Sequence, residues 1–155
     1  MQERVRRYPD AMLIVNDRVD VALEIGADGV HVGQDDEAYG KVIGRVPPGM
    51  IVGVSARFPA PAIAAEKAGA TYVGVGAVFA TSTKPEAVVI GERGLRAVVD
   101  AVTIPVVAIG GITVDTALQA SACGARFLAV LSDINAQREP AEAYRRLEAL
   151  LHRPD

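Results

Sequence analysis

Gly69-Ala70-Thr71-Tyr72-Val73-Gly74-Val75-Gly76 reads as the end of a helix, a tight turn and a strand, in that order. A glycine there supplies the left-handed residue that closes a helix, and the alanine behind it fits a tight turn against a sheet. The apolar run that follows is continuous rather than alternating, which suits a parallel strand covered on both faces. The same junction recurs twice: Gly26-Ala27-Asp28 precedes the apolar run 29–32, and Gly124-Ala125-Arg126 precedes 127–131. Three copies of one helix-to-strand turn predict a closed, quasi-symmetric α/β barrel. A doubly wound open sheet satisfies the same alternation and stands as the alternative.

Working outward from these junctions, further strands are expected at residues 11–15, 50–54 and 104–109, and the central one at 72–76. Amphipathic helices are expected at 60–68, 94–102, 114–122 and 140–151. The chain of 155 residues reads as a single domain, 1–155, with no composition shift to divide it. A complete (β/α)₈ barrel has eight strand–helix units, whereas six strands are legible here. The residues before Ala11 are too few and too polar to hold two more units, so the expectation is an N-terminally truncated TIM barrel.

Half of the residues are hydrophobic but only 5% are aromatic, so the apolar mass is Ala, Val, Ile and Leu, as expected where helices lie close on β-branched strands. A net charge of −3 gives no electrostatic reason to expect nucleic acid or an anionic membrane as partner. The apolar runs are strand-length, far short of a membrane span, and the first seven residues carry charge with no apolar core behind them. The single cysteine, Cys123, excludes an intramolecular disulfide and fits a reducing cytoplasm; between Ala122 and Gly124 it reads as a small packing residue near a helix end.

Barrel chemistry is done at the carboxyl ends of the strands. Gly110-Gly111 directly follows a buried strand and precedes a helix, an arrangement that lets backbone N–H groups approach an anion; a tight turn with no ligand is the competing explanation. Ser132 follows the next strand, and phosphate sites in barrels commonly use the loops after the last two strands. Together they predict a phosphate-binding barrel. Thr81-Ser82-Thr83-Lys84 places three hydroxyls and an ammonium on another such loop, a phosphate cradle or a solvated surface loop. Asn16-Asp17 and Gly33-Gln34-Asp35-Asp36 follow neighbouring strands, where carboxylates can share a Mg²⁺ or simply cap helices. His31, inside a strand, reads as a hydrogen-bonded core or rim histidine rather than a general base.

At this point the ordered motifs resemble the thiamine phosphate synthase family. They are Leu13-Ile14-Val15-Asn16-Asp17-Arg18, Gly26-Ala27-Asp28-Gly29-Val30-His31-Val32-Gly33-Gln34, Gly53-Val54-Ser55, Tyr72-Val73-Gly74-Val75-Gly76, the Thr81–Lys84 loop and Ile109-Gly110-Gly111-Ile112. The resemblance implies a cytoplasmic transferase that joins a pyrimidine diphosphate to a thiazole phosphate with release of pyrophosphate. It implies that Asp17 and Asp36 hold Mg²⁺, that Asn16 contacts the pyrimidine and that Ser55 lies near the pyrimidine and its leaving group. Lys84 then matches a cation on the diphosphate. Thr81, Thr83, Gly111, Leu131 and Ser132 match the thiazole phosphate site. Ser55 and Lys84 are the residues implied for catalysis.

The chain departs from the family pattern in three places. No counterpart of the family's second-strand Gln/Arg/Lys cluster is present; Ala56-Arg57 stands where Thr-His often follows the Gly-Val-Ser turn; and Asp133 follows Ser132 where a small residue is usual, which would set a carboxylate beside the phosphate site. Two other readings stay open: a thiazole tautomerase, which would carry a catalytic histidine where Arg57 stands, and a non-catalytic phosphate-binding remnant. Small phosphorylated molecules are the expected partners. Unpaired edges at 11–15 and 127–131 are expected to be covered by a homo-oligomer or a swapped assembly.

Overall fold

The computed structural model describes residues 2–33 and 39–151. Its elements, in chain order, are α1 (Gln2–Val5), β1 (Ile14–Asn16), α2 (Val19–Glu24), β2 (Gly29–Val32), α3 (Tyr39–Ile43), β3 (Ile51–Ser55), α4 (Pro59–Ala68), β4 (Tyr72–Val75), α5 (Gly91–Val99), β5 (Val106–Ile109), α6 (Ala117–Ala122), β6 (Phe127–Ala129), α7 (Ser132–Asn135) and α8 (Pro140–Leu151). All six strands are parallel and lie side by side in chain order. A doubly wound sheet reverses its strand order at a switch point, and this one does not. The helices α3, α4, α5 and α6 contact one another in succession, which places them on a single side of the sheet. The architecture is an α/β half-barrel of the TIM type.

Alternate residues of each strand build the core. Val30, Val32, Val52, Val54, Val73, Val75 and Ala108 are almost wholly buried under the helices, against Ala22, Ala62, Ala65, Leu95, Val98 and Ala120. Alanines at the contacts of α4 let that helix sit close to β3 and β4, while Leu95 and Val98, three apart on α5, form its buried stripe. Proline at its start and Gly69 at its end, with φ of 99°, delimit α4. Gly26 and Gly124 take the same left-handed conformation, as the three recurring junctions require.

The opposite face is less covered than the continuous apolar runs suggest. His31, Ser55, Tyr72 and Val107 are half-buried and Ile109 is exposed, because this inner face is the mouth and lumen side of the arc. Element ends also move. The first strand starts at Ile14, not at residue 11, since Met12 is exposed and the Leu13 N–H is taken by the Asp28 carboxylate at 2.7 Å. β5 starts after Pro105, which has no N–H to donate to the ladder. The helix expected at 94–102 runs three residues earlier, from Gly91 to Val99. Among the described residues no helix is long and apolar enough to cross a membrane.

Candidate active site at the strand carboxyl ends

Parallel strands in one arc bring all their carboxyl ends to the same face, so the chemistry-bearing residues meet there in two adjoining groups. The first group is built on β1, β2, β3 and β4. Asn16 ends β1, and its side-chain amide donates to the Asp17 carboxylate at 2.6 Å. Asp17 sits at a φ of 63°, left-handed for a non-glycine residue, and its N–H donates to the His31 carbonyl at 2.8 Å. That conformation turns the chain sharply out of β1 and leaves the carboxylate exposed at the mouth. Asp36, the other expected magnesium ligand, lies outside the described residues, as do Gln34 and Asp35. Among the described residues no three His, Cys, Asp or Glu side chains converge on a metal-sized space.

His31 ties the strands of this group together. Its Nε2 is 2.9 Å from Ser55 Oγ and its Nδ1 is 2.9 Å from the Tyr72 hydroxyl. The two rings stack with centroids 5.5 Å apart. Burial pushes the Tyr72 phenol above its ordinary pKa, so it remains protonated. Room for both rings comes from glycine: a Cβ at Gly53 would lie 2.1 Å from Tyr72 Cζ, and one at Gly74 would lie 2.9 Å from His31 Cε1. Histidine is thus a hydrogen-bonded inner-face residue. The role of Tyr72 was not foreseen from the sequence. Its signal was present in the alternation, since His31, Gly53, Ser55, Tyr72 and Gly74 share the inner face of three adjacent strands.

The second group is built on the loops after β4, β5 and β6. The β4 loop lies along the end of β5, with the Val78 N–H donating to the Ile109 carbonyl and the Phe79 N–H to that of Gly110. This carries Thr81, Thr83 and Lys84 to the neighbourhood of the Gly110-Gly111 turn. The Thr83 N–H donates to Thr81 Oγ1 at 3.3 Å, and no side-chain partner holds the Lys84 ammonium among the described residues. The glycine pair has a packing reason of its own. Both residues have positive φ, and a Cβ at Gly111 would meet the Ala80 carbonyl at 2.5 Å. The Gly111 N–H nevertheless finds no acceptor among the described residues. Leu131 is exposed at the end of the β6 loop, and Ser132 opens α7; the Ile134 and Asn135 N–H groups donate to the Leu131 carbonyl, while those of Ser132 and Asp133 find no acceptor among the described residues.

Asp133 follows Ser132, and its Oδ2 accepts from the Val114 N–H at 3.1 Å, so the carboxylate bridges the β5 and β6 loops. Ala56 is buried with its N–H on the Gly74 carbonyl, whereas Arg57 is exposed. Cys123 is buried at the end of α6.

A thiamine-phosphate synthase of Ruminiclostridium cellulolyticum is 48% identical over 130 residues, covering 82% of this chain and 60% of the relative. One from Chloroflexus aurantiacus is 49% identical over 143 residues, covering 90% and 64% respectively. The chain therefore spans somewhat under two thirds of the length of these relatives. The solved structure of a thiamine phosphate pyrophosphorylase from Pyrococcus furiosus superposes with a TM-score of 0.87 at 39% identity, over 97% of this chain and 71% of that one. The sequence profile of the thiamine monophosphate synthase family matches residues 1–134, and the chain belongs to that family.

Proposed function

We propose that this protein is a thiamine phosphate synthase, a transferase that joins the methylene carbon of a pyrimidine diphosphate to the ring nitrogen of a thiazole phosphate and releases pyrophosphate. The observation that carries this reading is the convergence of Asn16, Asp17, Ser55, the Thr81–Lys84 loop, Gly111 and Ser132 on one face, in a chain of this family. The C–O bond to the diphosphate breaks with its electron pair on oxygen, and the thiazole nitrogen supplies the pair for the new C–N bond. An electron-rich aminopyrimidine stabilises the positive charge left on the methylene, so leaving-group neutralisation and alignment are the main demands. No strong general base is needed, which suits a mouth of hydroxyls and amides with the Lys84 ammonium, unpaired among the described residues.

Lys84 neutralises the diphosphate, and Asn16 and Ser55 orient the pyrimidine. Thr81, Thr83, the Gly111 N–H and the Leu131-Ser132 backbone hold the thiazole phosphate and aim its nitrogen. Asp17, a hard oxygen donor at the mouth beside the Asn16 amide, suits Mg²⁺, which usually binds one or two carboxylates and completes its shell with phosphate oxygens and water. Asp36 is the second proposed ligand. The ion would supply further neutralisation of the pyrophosphate when bound. Incubation with both substrates and Mg²⁺, following thiamine phosphate by chromatography, tests the proposal. Formation of thiamine phosphate supports it; the absence of both turnover and calorimetric binding of the thiazole phosphate would overturn it.

The edges of the sheet support a second, structural element of this reading, association of copies. Among the described residues β1 and β6 are unpaired on their outer sides, and Met12, Phe127 and Leu131 are exposed beside them. A second copy covering these edges is expected to make the protein oligomeric. Light scattering that gave a monomer at high concentration would contradict it.

A further inference from the structure

We propose that Tyr72 and His31 are positioning residues that turn Ser55 into a hydrogen-bond donor, its hydroxyl proton aimed at the oxygen that leaves with the diphosphate. The inference rests on the function proposed above and adds to it the polarity of one contact. Three side chains on three adjacent strands form a single chain, Tyr72 Oη to His31 Nδ1 at 2.9 Å and His31 Nε2 to Ser55 Oγ at 2.9 Å. A neutral imidazole has one N–H and one lone pair, so this chain can run in only two directions.

In one direction Tyr72 donates to Nδ1 and Nε2–H donates to Ser55, whose own proton is released towards the mouth. In the other, Ser55 spends its proton on Nε2 and the phenol O–H is left over. The second direction is the poorer one. Tyr72 has no other hydrogen-bond partner among the described residues, and a half-buried phenol with an idle O–H carries an uncompensated desolvation cost. A phenol is also the better donor of the pair, its oxygen lone pair being drawn into the ring. Burial keeps it protonated and able to donate.

The backbone reserves space for this chain. Gly53 faces Tyr72 and His31, and Gly74 faces His31, so closely that a methyl group at either would collide with a ring. Ser55 ends β3 at the mouth, and among the described residues its hydroxyl has no hydrogen-bond partner other than His31. A donor there meets an oxygen whose negative charge grows as the C–O bond breaks, so the contact strengthens in the transition state; the proton stays on the serine.

The test reads the tautomer first. The chain has two histidines, so long-range ¹H–¹⁵N correlation spectra of the histidine-labelled protein at mildly alkaline pH resolve His31 directly. The expected result is His31 protonated on Nε2, with Tyr72→Phe shifting it towards Nδ1–H. A parent protein protonated on Nδ1 would overturn the proposal. Kinetics then follow: Tyr72→Phe should lower kcat about tenfold with little change in KM and a drop in melting temperature of only about 2–4 °C. His31→Gln, whose amide can still donate to Ser55, should keep more activity than His31→Ala; equal loss in both overturns the positioning role, as does an unchanged kcat in Tyr72→Phe. The tautomer measurement needs no turnover, so failure of the synthase reading and failure of this one are separately visible.

Discussion

Replacing Gly53 by alanine puts the inner layer of the sheet under direct strain. The new methyl carbon would stand 2.1 Å from Tyr72 Cζ, 2.3 Å from its hydroxyl oxygen and 2.5 Å from His31 Nδ1. Carbon atoms settle at about 3.5 Å or more, so the phenol ring must retreat by more than about 1 Å. The backbone cannot give instead, because Gly53 is held in register with His31 on one side and Tyr72 on the other. Tyr72 is half-buried and can swing towards the mouth, but only by abandoning His31. Overpacking costs about 1–3 kcal/mol and the lost hydrogen bond about 1 kcal/mol, together about 2–4 kcal/mol. For a domain of this size that is a drop in Tm of roughly 5–15 °C. Gly40→Ala is the matched control, since a Cβ on that residue of α3 meets nothing within 4 Å, and it should be neutral or stabilise by up to about 1 kcal/mol. Thermal unfolding followed by circular dichroism measures both. An unchanged Tm for Gly53→Ala would refute the ring placement and, with it, the Tyr72–His31–Ser55 chain.

Leu95 is fully buried between α5 and the sheet, so Leu95→Ala should lower stability by about 2–5 kcal/mol in denaturant unfolding; a loss under about 1 kcal/mol would contradict the described core. Glu66 on α4 accepts from the Thr103 hydroxyl at 2.6 Å, the Thr103 N–H at 2.7 Å and the Ile104 N–H at 3.1 Å, and these bonds, the hydroxyl's first, hold its carboxyl below the ordinary range. A carboxylate whose folded pKa is depressed stabilises above its unfolded pKa, about 4.3, and loses that contribution as pH falls through the folded value. Glu66→Gln should therefore melt lower than the parent at neutral pH, with the gap closing in acid; a pH-independent gap would count against it. Lys84→Met should lower synthase turnover on the order of 10²-fold or more with the fold intact, and an unaffected rate would remove Lys84 from the diphosphate.

Much of this fold could be read locally. Strand and helix identities followed from continuous Val-rich runs alternating with 3.6-residue patterns, and the Gly-Ala junctions at 26–27, 69–70 and 124–125 marked where helices stop. The short helices α1, α3 and α7 were not anticipated, because four or five residues hold too little of a helical period to register. The Gly110-Gly111 pair was read for its chemistry, yet its collision with the β4 loop gives it a packing role that no local pattern reveals. Asp133 likewise found its partner, the Val114 N–H, on a different loop.

The amino-acid sequence by itself determined the α/β class, the family resemblance and the list of residues at the strand ends, since each rests on neighbours along the chain. Strand order, which excluded the doubly wound sheet, was decided only by tertiary structure. So was the linkage of His31 to Ser55 and Tyr72, 24 and 41 residues away. The reason is register. The period-two alternation says which residues share a face, but sideways pairing is set by interstrand hydrogen bonds and by helices packing across several strands at once. Only that pairing puts Gly53 opposite both rings, and with it a histidine between a phenol and a serine.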